Sequence, residues 1–384
     1  MFSSRLDWDL RPNRIAAALA ARDAPVLDLT ESNPTGVGLE YPPGIAACLA
    51  DERSLVYEPA PSGLLHARQA VASAYAARGT AVPAERIVLT PGSSEAYAWL
   101  FKLLADAGDE VLVPRPSYPL FEFLAALESV RVVTYPLSYH GSWSLDINEL
   151  ERAATGRTRA VVVVNPNNPT GSFLKRGERD ALVEFCAVRG LAIISDEVFS
   201  DYAFRPDSER IPTLAGTELA LAFSLGGLSK MAGLPQMKLG WIAVAGPEPL
   251  RRAALERLEL IADTYLPVGT PVQHAAARLI GFGDAVRRQI ADRVGRNLAT
   301  LRDMATGACE LLDAEGGWYA ILRVPRTRTE EEWTLELLER DGVLVQPGYF
   351  YDFENEAYLV LSLLPEPGVF DEGAGRLTRR CGLS

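Results

Sequence analysis

Lys230 lies in S-L-G-G-L-S-K-M-A-G-L-P-Q-M-K-L-G-W, residues 224–241, just past an aliphatic run and among glycines that let a backbone approach a ligand closely. A lysine kept from water, or placed beside another cation, loses basicity and can form an imine with an aldehyde; a solvated loop lysine does neither. Three other segments give this lysine its context. S-D-E-V-F at 195–199 sets Asp196 and Glu197 at the end of a buried run, where a carboxylate calls for a cationic partner, and a protonated pyridine nitrogen is one. N-P-N-N-P-T-G at 165–171 follows Val164, and its two prolines stiffen a loop from which Asn165, Asn167 and Asn168 would present their amides. T-P-G-S-S-E-A-Y at 90–97 reads as a strand-to-helix turn whose free N–H groups would receive a phosphate. Alone, each segment also reads as an ordinary turn or helix cap.

These segments need a scaffold that brings them together. From 87 to 244, short apolar runs alternate with helical stretches: 87–90, 111–113, 131–134, 160–164, 191–194, 221–224 and 241–244. Runs that are apolar on both faces predict a seven-stranded, mainly parallel sheet covered by helices on both sides, with ligands bound beyond the carboxyl ends of the strands. Helical sequence through 247–313, then strand-like runs at 318–324, 343–346 and 358–363 around a helix near 330–340, predict a smaller α+β C-terminal domain. The expected division is an N-terminal arm over 1–45, a large domain over 46–270 and a small domain over 271–384. With 384 residues, 48% apolar, and a net charge of −12 spread along the chain, the protein can bury large cores and does not suit nucleic acid or anionic membrane as a partner. The opening residues show no basic leader or long apolar run, so a cytoplasmic location is expected. Four cysteines without CxxC spacing and three scattered histidines suggest no metal site.

Taken together and in this order, the four motifs resemble the class I and II aminotransferases, pyridoxal 5'-phosphate (PLP) enzymes of fold type I, from about residue 26 to 364. The resemblance implies that Lys230 carries the cofactor as a Schiff base and moves protons, that Asp196 keeps the pyridine nitrogen protonated, and that Asn168 bonds the ring hydroxyl. By the same resemblance Tyr118 stacks on the ring, Gly92, Ser93 and Ser94 cup the phosphate, and Tyr57 reaches across a homodimer interface to the neighbouring subunit's phosphate.

Departures from the family pattern fall at four positions. Phe199 replaces a tyrosine that would bond the ring hydroxyl, Lys238 an arginine on the phosphate, and Gly227 a hydroxyl residue of the cup. Val360 stands where the family holds the arginine that clamps the substrate α-carboxylate. Arg14, or the amides of Asn33 and Asn168, are candidates to receive the substrate acid, and the natural amine lacking such an acid is a further option. The expected activity is transfer of an amino group from an amino acid to a 2-oxo acid through pyridoxamine phosphate; the alternative is elimination, cyclisation or oxidation on the same cofactor.

Overall fold

The computed structural model describes residues 2–266, 268–305 and 307–383. Its strands are β1 (Leu27–Asp28), β2 (Ile87–Thr90), β3 (Glu110–Arg115), β4 (Arg131–Tyr139), β5 (Trp143–Leu145), β6 (Thr158–Val164), β7 (Ala192–Asp196), β8 (Ala222–Gly227), β9 (Gly240–Ala245), β10 (Glu310–Leu311), β11 (Tyr319–Arg323), β12 (Val343–Leu344), β13 (Gln346–Pro347) and β14 (Tyr358–Ser362).

The large sheet has the order β2-β9-β8-β7-β6-β3-β4-β5. All seven expected strands are in it, and an eighth, β5, turns back antiparallel on the end of β4. Three residues are too few to show a period, so the hairpin through His140–Ser142 left no clear pattern in the sequence. The β8-β7-β6-β3-β4 block is parallel, and β9 runs antiparallel between β2 and β8. This pairing puts Thr90, Arg115, Val164, Asp196 and Gly227 on one edge, together with Gly240 at the start of β9.

Strand alternation covers both faces. Val162, Ile194 and Phe223 pack with Ala96, Leu100 and Leu258 from the helices Ser93–Leu104 and Glu248–Tyr265. Val161 and Ile193 pack on the opposite side with Leu182 and Cys186 of the helix Arg176–Arg189. At roughly 25 cal/mol per Å2 of apolar surface, such two-sided burial dominates the stability of the sheet and makes its edge rigid.

The small sheet, β10-β11-β14-β13, is antiparallel and packs on the helix Pro367–Gly382 and the C-terminal half of the long helix Thr270–Met304. The N-terminal half of that helix packs instead on the helix Leu65–Ala77, and its Val272, Ala275 and Leu279 share a core with Leu89 and Trp241 of the large sheet. Within the N-terminal 45 residues, β1 pairs in parallel with β12, and the Leu29 carbonyl accepts from the Ser362 N–H.

The two parts meet where 314–317 lies against the loops 167–171 and 202–204. Phe204 N–H donates to Glu315 O, Gly317 N–H to Tyr202 O, and Glu315 N–H to Gly171 O. A Cβ on Gly316 would fall 2.4 Å from Tyr202 O and 2.7 Å from the Phe173 ring. Gly316→Ala is therefore expected to destabilise by about 1–3 kcal/mol, since a backbone carbonyl cannot step aside. Gly281→Ala, on the long helix with nothing within 4 Å, is expected to stabilise by up to about 1 kcal/mol. Urea unfolding of both variants measures the contrast, and equal effects would contradict it.

Candidate active site

The short helix Leu228–Met231 begins where β8 ends and carries Lys230, whose carbonyl accepts a hydrogen bond from Tyr202 at 2.6 Å. Its Nζ lies 4.8 Å from the centre of the Trp318 ring and 5.6 Å from that of Phe199. Those two rings meet edge to face at 5.3 Å, and Phe199 also packs on Tyr319. Removal from water lowers the amine to about 8, and the charge of Asp196 only partly opposes this.

Asp196, at the end of β7, is 6% exposed. Its Oδ1 accepts from the Val198 N–H and its Oδ2 from the Tyr97 hydroxyl, each at 3.2 Å. Burial still raises it to about 6, because these two bonds and the more distant Lys230 do not replace lost water. Glu197 is different. Thr213, Ser224 and the Leu214 N–H all donate to it, so neutral donors satisfy the carboxylate that the sequence left in need of a partner.

The three asparagines of 165–168 also separate. Asn165 accepts from the Leu174 N–H and donates to Ile211 O, while Asn167 donates to Pro116 O and Thr170 and accepts from Ser117. Both are turned into the protein to tie loops, which corrects the expectation of three presented amides. Asn168 is the exception: it is buried, and its Oδ1 has no hydrogen-bond partner among the described residues.

At the neighbouring strand ends, Gly92 precedes the helix Ser93–Leu104 with no side-chain cap, so the N–H groups of Ser93 and Ser94 remain open at a twelve-residue helix N-terminus. A Cβ on Gly240 would lie 3.0 Å from the Gly92 Cα, and one on Gly227 would lie 3.2 Å from the Gly240 Cα. Three glycines thus bring three backbones together, and the exposed Lys238 sets its Nζ 3.9 Å from where a Gly92 Cβ would be. Tyr118, half-buried beyond β3, packs edge to face on Phe121 and is pushed up to about 12 by burial, with smaller contributions from Asp196 and Tyr319.

The other expected residues have different surroundings. Tyr57 is 72% exposed, beside the exposed Leu55 and Val56. Asn33 is exposed, with its Oδ1 taken by the N–H and hydroxyl of Thr35. Arg14 pairs with Glu331 at 2.7 Å on the outside of the protein. Val360 is buried on β14, opposite Ile321 on one side and Gln346 on the other. Sequence reasoning passed over Tyr97, Trp318 and Tyr319. Tyr97 closes the 90–97 motif and could have been found there, whereas the other two arrive from a different sheet.

Residues 25–366 match the family described as Aminotransferase class I and II. The glutamate-pyruvate aminotransferase AlaA of Escherichia coli K12 is 28% identical over 354 residues, spanning 88% of this chain and 86% of its own. The alanine aminotransferase of Mycobacterium bovis is 30% identical over 369 residues, spanning 91% of this chain and 84% of its own. Among solved structures, an E. coli aminotransferase superposes with a TM-score of 0.87 at 24% identity, covering 100% of this chain and 98% of that one. The alanine aminotransferase of Pyrococcus furiosus superposes at 0.86 with 21% identity, covering 96% and 95%, and at these identities the two structures speak for the fold. Since the matched segment spans every strand end of the crevice and both walls around Lys230, the chain belongs to the class I and II aminotransferases, which are PLP-dependent transferases.

Proposed function

We propose that the crevice moves an amino group from an amino acid to a 2-oxo acid, with Lys230 as the residue that takes the cofactor and handles the proton. One observation carries this reading: a half-buried lysine whose amine lies against the Trp318 and Phe199 rings and is lowered to about 8 stands at the same sheet edge as a buried carboxylate raised to about 6. The residues fit PLP. Asp196 suits a protonated ring nitrogen, the unpartnered Asn168 amide suits the ring hydroxyl, and Gly92, Ser93, Ser94 and Lys238 suit the phosphate. Tyr118 suits the ring face, and Phe199 would offer the ring hydroxyl no hydrogen bond. When bound, PLP supplies an aldehyde for the amine and a ring that withdraws electrons.

Around that group, each residue has a distinct task. Lys230, as free amine, accepts a proton at Nζ and returns it, and Trp318 and Phe199 keep water from that nitrogen. Tyr97 orients the Asp196 carboxylate through its Oδ2. The names of the relatives, alanine and glutamate-pyruvate aminotransferases, support amino acids and 2-oxo acids as the substrate class. Val360 favours keeping a second reading, elimination, cyclisation or oxidation on an amino acid, because the family's carboxylate clamp has no counterpart there. Detection of pyridoxamine phosphate after incubation with an amino-acid panel separates the two.

The exposed run Leu55-Val56-Tyr57 supports a homodimer in which Tyr57 serves the partner's site. A division at 1–45, 46–270 and 271–384 and a cytoplasmic location complete the reading; no described helix is long and apolar enough to cross a membrane.

Cofactor-free protein should capture an aldehyde at a rate that rises roughly tenfold per pH unit and levels off above about 8, as the Lys230 amine loses its proton. Lys230→Ala should abolish both this capture and turnover. A variant that still holds borohydride-fixed cofactor would sink the assignment.

Asp196 gives a prediction of opposite sign for stability and activity. Its folded value is raised, so the native state holds its proton longer than the unfolded chain does. Stability of the cofactor-free protein is therefore lost as pH rises from the ordinary carboxylate range through about 6. Asp196→Asn should stabilise that form by about 1–3 kcal/mol at pH 8, and should cut turnover roughly 100-fold or more. Thermal melts with single-turnover kinetics decide it, and a variant no more stable than wild type, or fully active, contradicts the role.

A further inference from the structure

Lys230 sits on a helix of four residues, Leu228–Met231, a single turn that cannot hold its own shape and must be fixed from outside. Its first N–H, at Leu228, donates to Leu239 O at 2.9 Å. Two phenols hold the other end. The Tyr202 hydroxyl donates to Lys230 O at 2.6 Å, and the Tyr41 hydroxyl donates to Gly233 O at 2.6 Å. The Gly233 N–H also reaches Lys230 O, at a longer 3.4 Å. Burial first, then the charge of Asp201, pushes Tyr202 well above the ordinary phenol range against the opposing pull of Arg287 and Arg78, so its hydroxyl stays a donor at any working pH.

Tyr202 is also tied to the wall in front of the amine. It is 1% exposed, and its ring packs edge to face on Trp318 at 5.2 Å. Its carbonyl accepts from the Gly317 N–H at 2.9 Å, and its own N–H donates to Phe199 O at 3.0 Å. Trp318 and Phe199 are the two rings whose centres lie 4.8 and 5.6 Å from Lys230 Nζ. One residue therefore holds both sides of the same short gap. Tyr41, by contrast, bonds three residues beyond the lysine and makes no ring contact with Trp318 or Phe199 among the described residues. The charge that faces the amine is Asp196 on β7; beside Tyr202, Asp201 pairs with Arg78 at 2.7 Å and with Arg287 at 3.9 Å.

We propose that Tyr202 is a positioning residue: with its hydroxyl on the Lys230 carbonyl and its ring on Trp318, it fixes the amine against the wall that keeps water from it. Without the hydroxyl, the Lys230 carbonyl is left with the long bond from Gly233, the one-turn helix is free to shift, and water gains the amine. Water favours the protonated form, so the amine then becomes reactive only at higher pH. This deepens the reading of Lys230 as the reactive amine and rests on it.

The test follows the rate at which the full chain, freed of cofactor, captures PLP as a function of pH, read from borohydride-quenched samples, with melting temperatures alongside. In Tyr202→Phe, capture at about pH 7 should fall roughly three- to tenfold while the rate at the alkaline plateau stays within about twofold of wild type, an upward shift of the whole profile. Trp318→Leu opens the same gap from the other side and should shift the profile in the same direction. Tyr41→Phe removes a hydroxyl from the same stretch of chain; it should lower the melting temperature about as much as Tyr202→Phe does and leave the profile in place. A Tyr202→Phe variant that melts earlier with its profile unmoved would overturn the proposal, since the hydroxyl then serves the fold alone. An equal shift in Tyr41→Phe would do the same. Should Tyr202→Phe fail to fold, Trp318→Leu carries the test, and an unmoved profile there overturns the proposal too. Capture retained by Lys230→Ala would contradict the reading of the lysine itself.

Discussion

Asp196 and Lys230 lose water at the same sheet edge, and the loss displaces them in opposite directions: the carboxylate rises to about 6 and the amine falls to about 8. Surface groups would titrate near their ordinary values and do nothing at neutral pH. Keeping both from solvent takes a rigid floor and a lid. The floor is the parallel block of the large sheet, buried on both faces, whose strand ends cannot shift independently. The lid is Trp318 with Tyr319, carried on a separate sheet and pinned through 314–317 to the loops that follow β6 and β7. Glu197, one residue from Asp196, shows how a buried carboxylate is treated when it serves the fold: three donors satisfy it.

The same distinction runs through the loop after β6. Asn165 and Asn167 each make several hydrogen bonds and hold the loop, so that Asn168 can keep a buried amide oxygen unpaired. An unpaired buried polar atom costs roughly 1–3 kcal/mol, and it persists because the ties on either side leave the chain no cheaper arrangement. Local stability has been given up at this one position of the loop.

The wall that the small domain lends to Lys230 is aromatic, with Trp318 and Tyr319 both packed on Phe199. Phe199, Gly227 and Val360 bring no side-chain hydrogen-bonding group.

Much of this was present in the chain itself. Seven apolar runs, each a few residues long and apolar on both faces, determined the covered sheet, and each motif lies just beyond one of them, so their meeting at one edge follows from parallel pairing. Lys230, Asp196 and the glycine-bordered helix start were legible for that reason. Only the tertiary structure decided which asparagine stays unpaired, that β5 adds an eighth strand, that His66 and His274, 208 residues apart, meet at 3.0 Å, and that the Trp318 ring centre lies 4.8 Å from the Lys230 amine. Local sequence carries hydrophobic period and turn chemistry, which act over a few residues. Hydrogen-bond partners and ring contacts are set by which distant segments pack together, and a buried side chain's role depends on the partner it finds there.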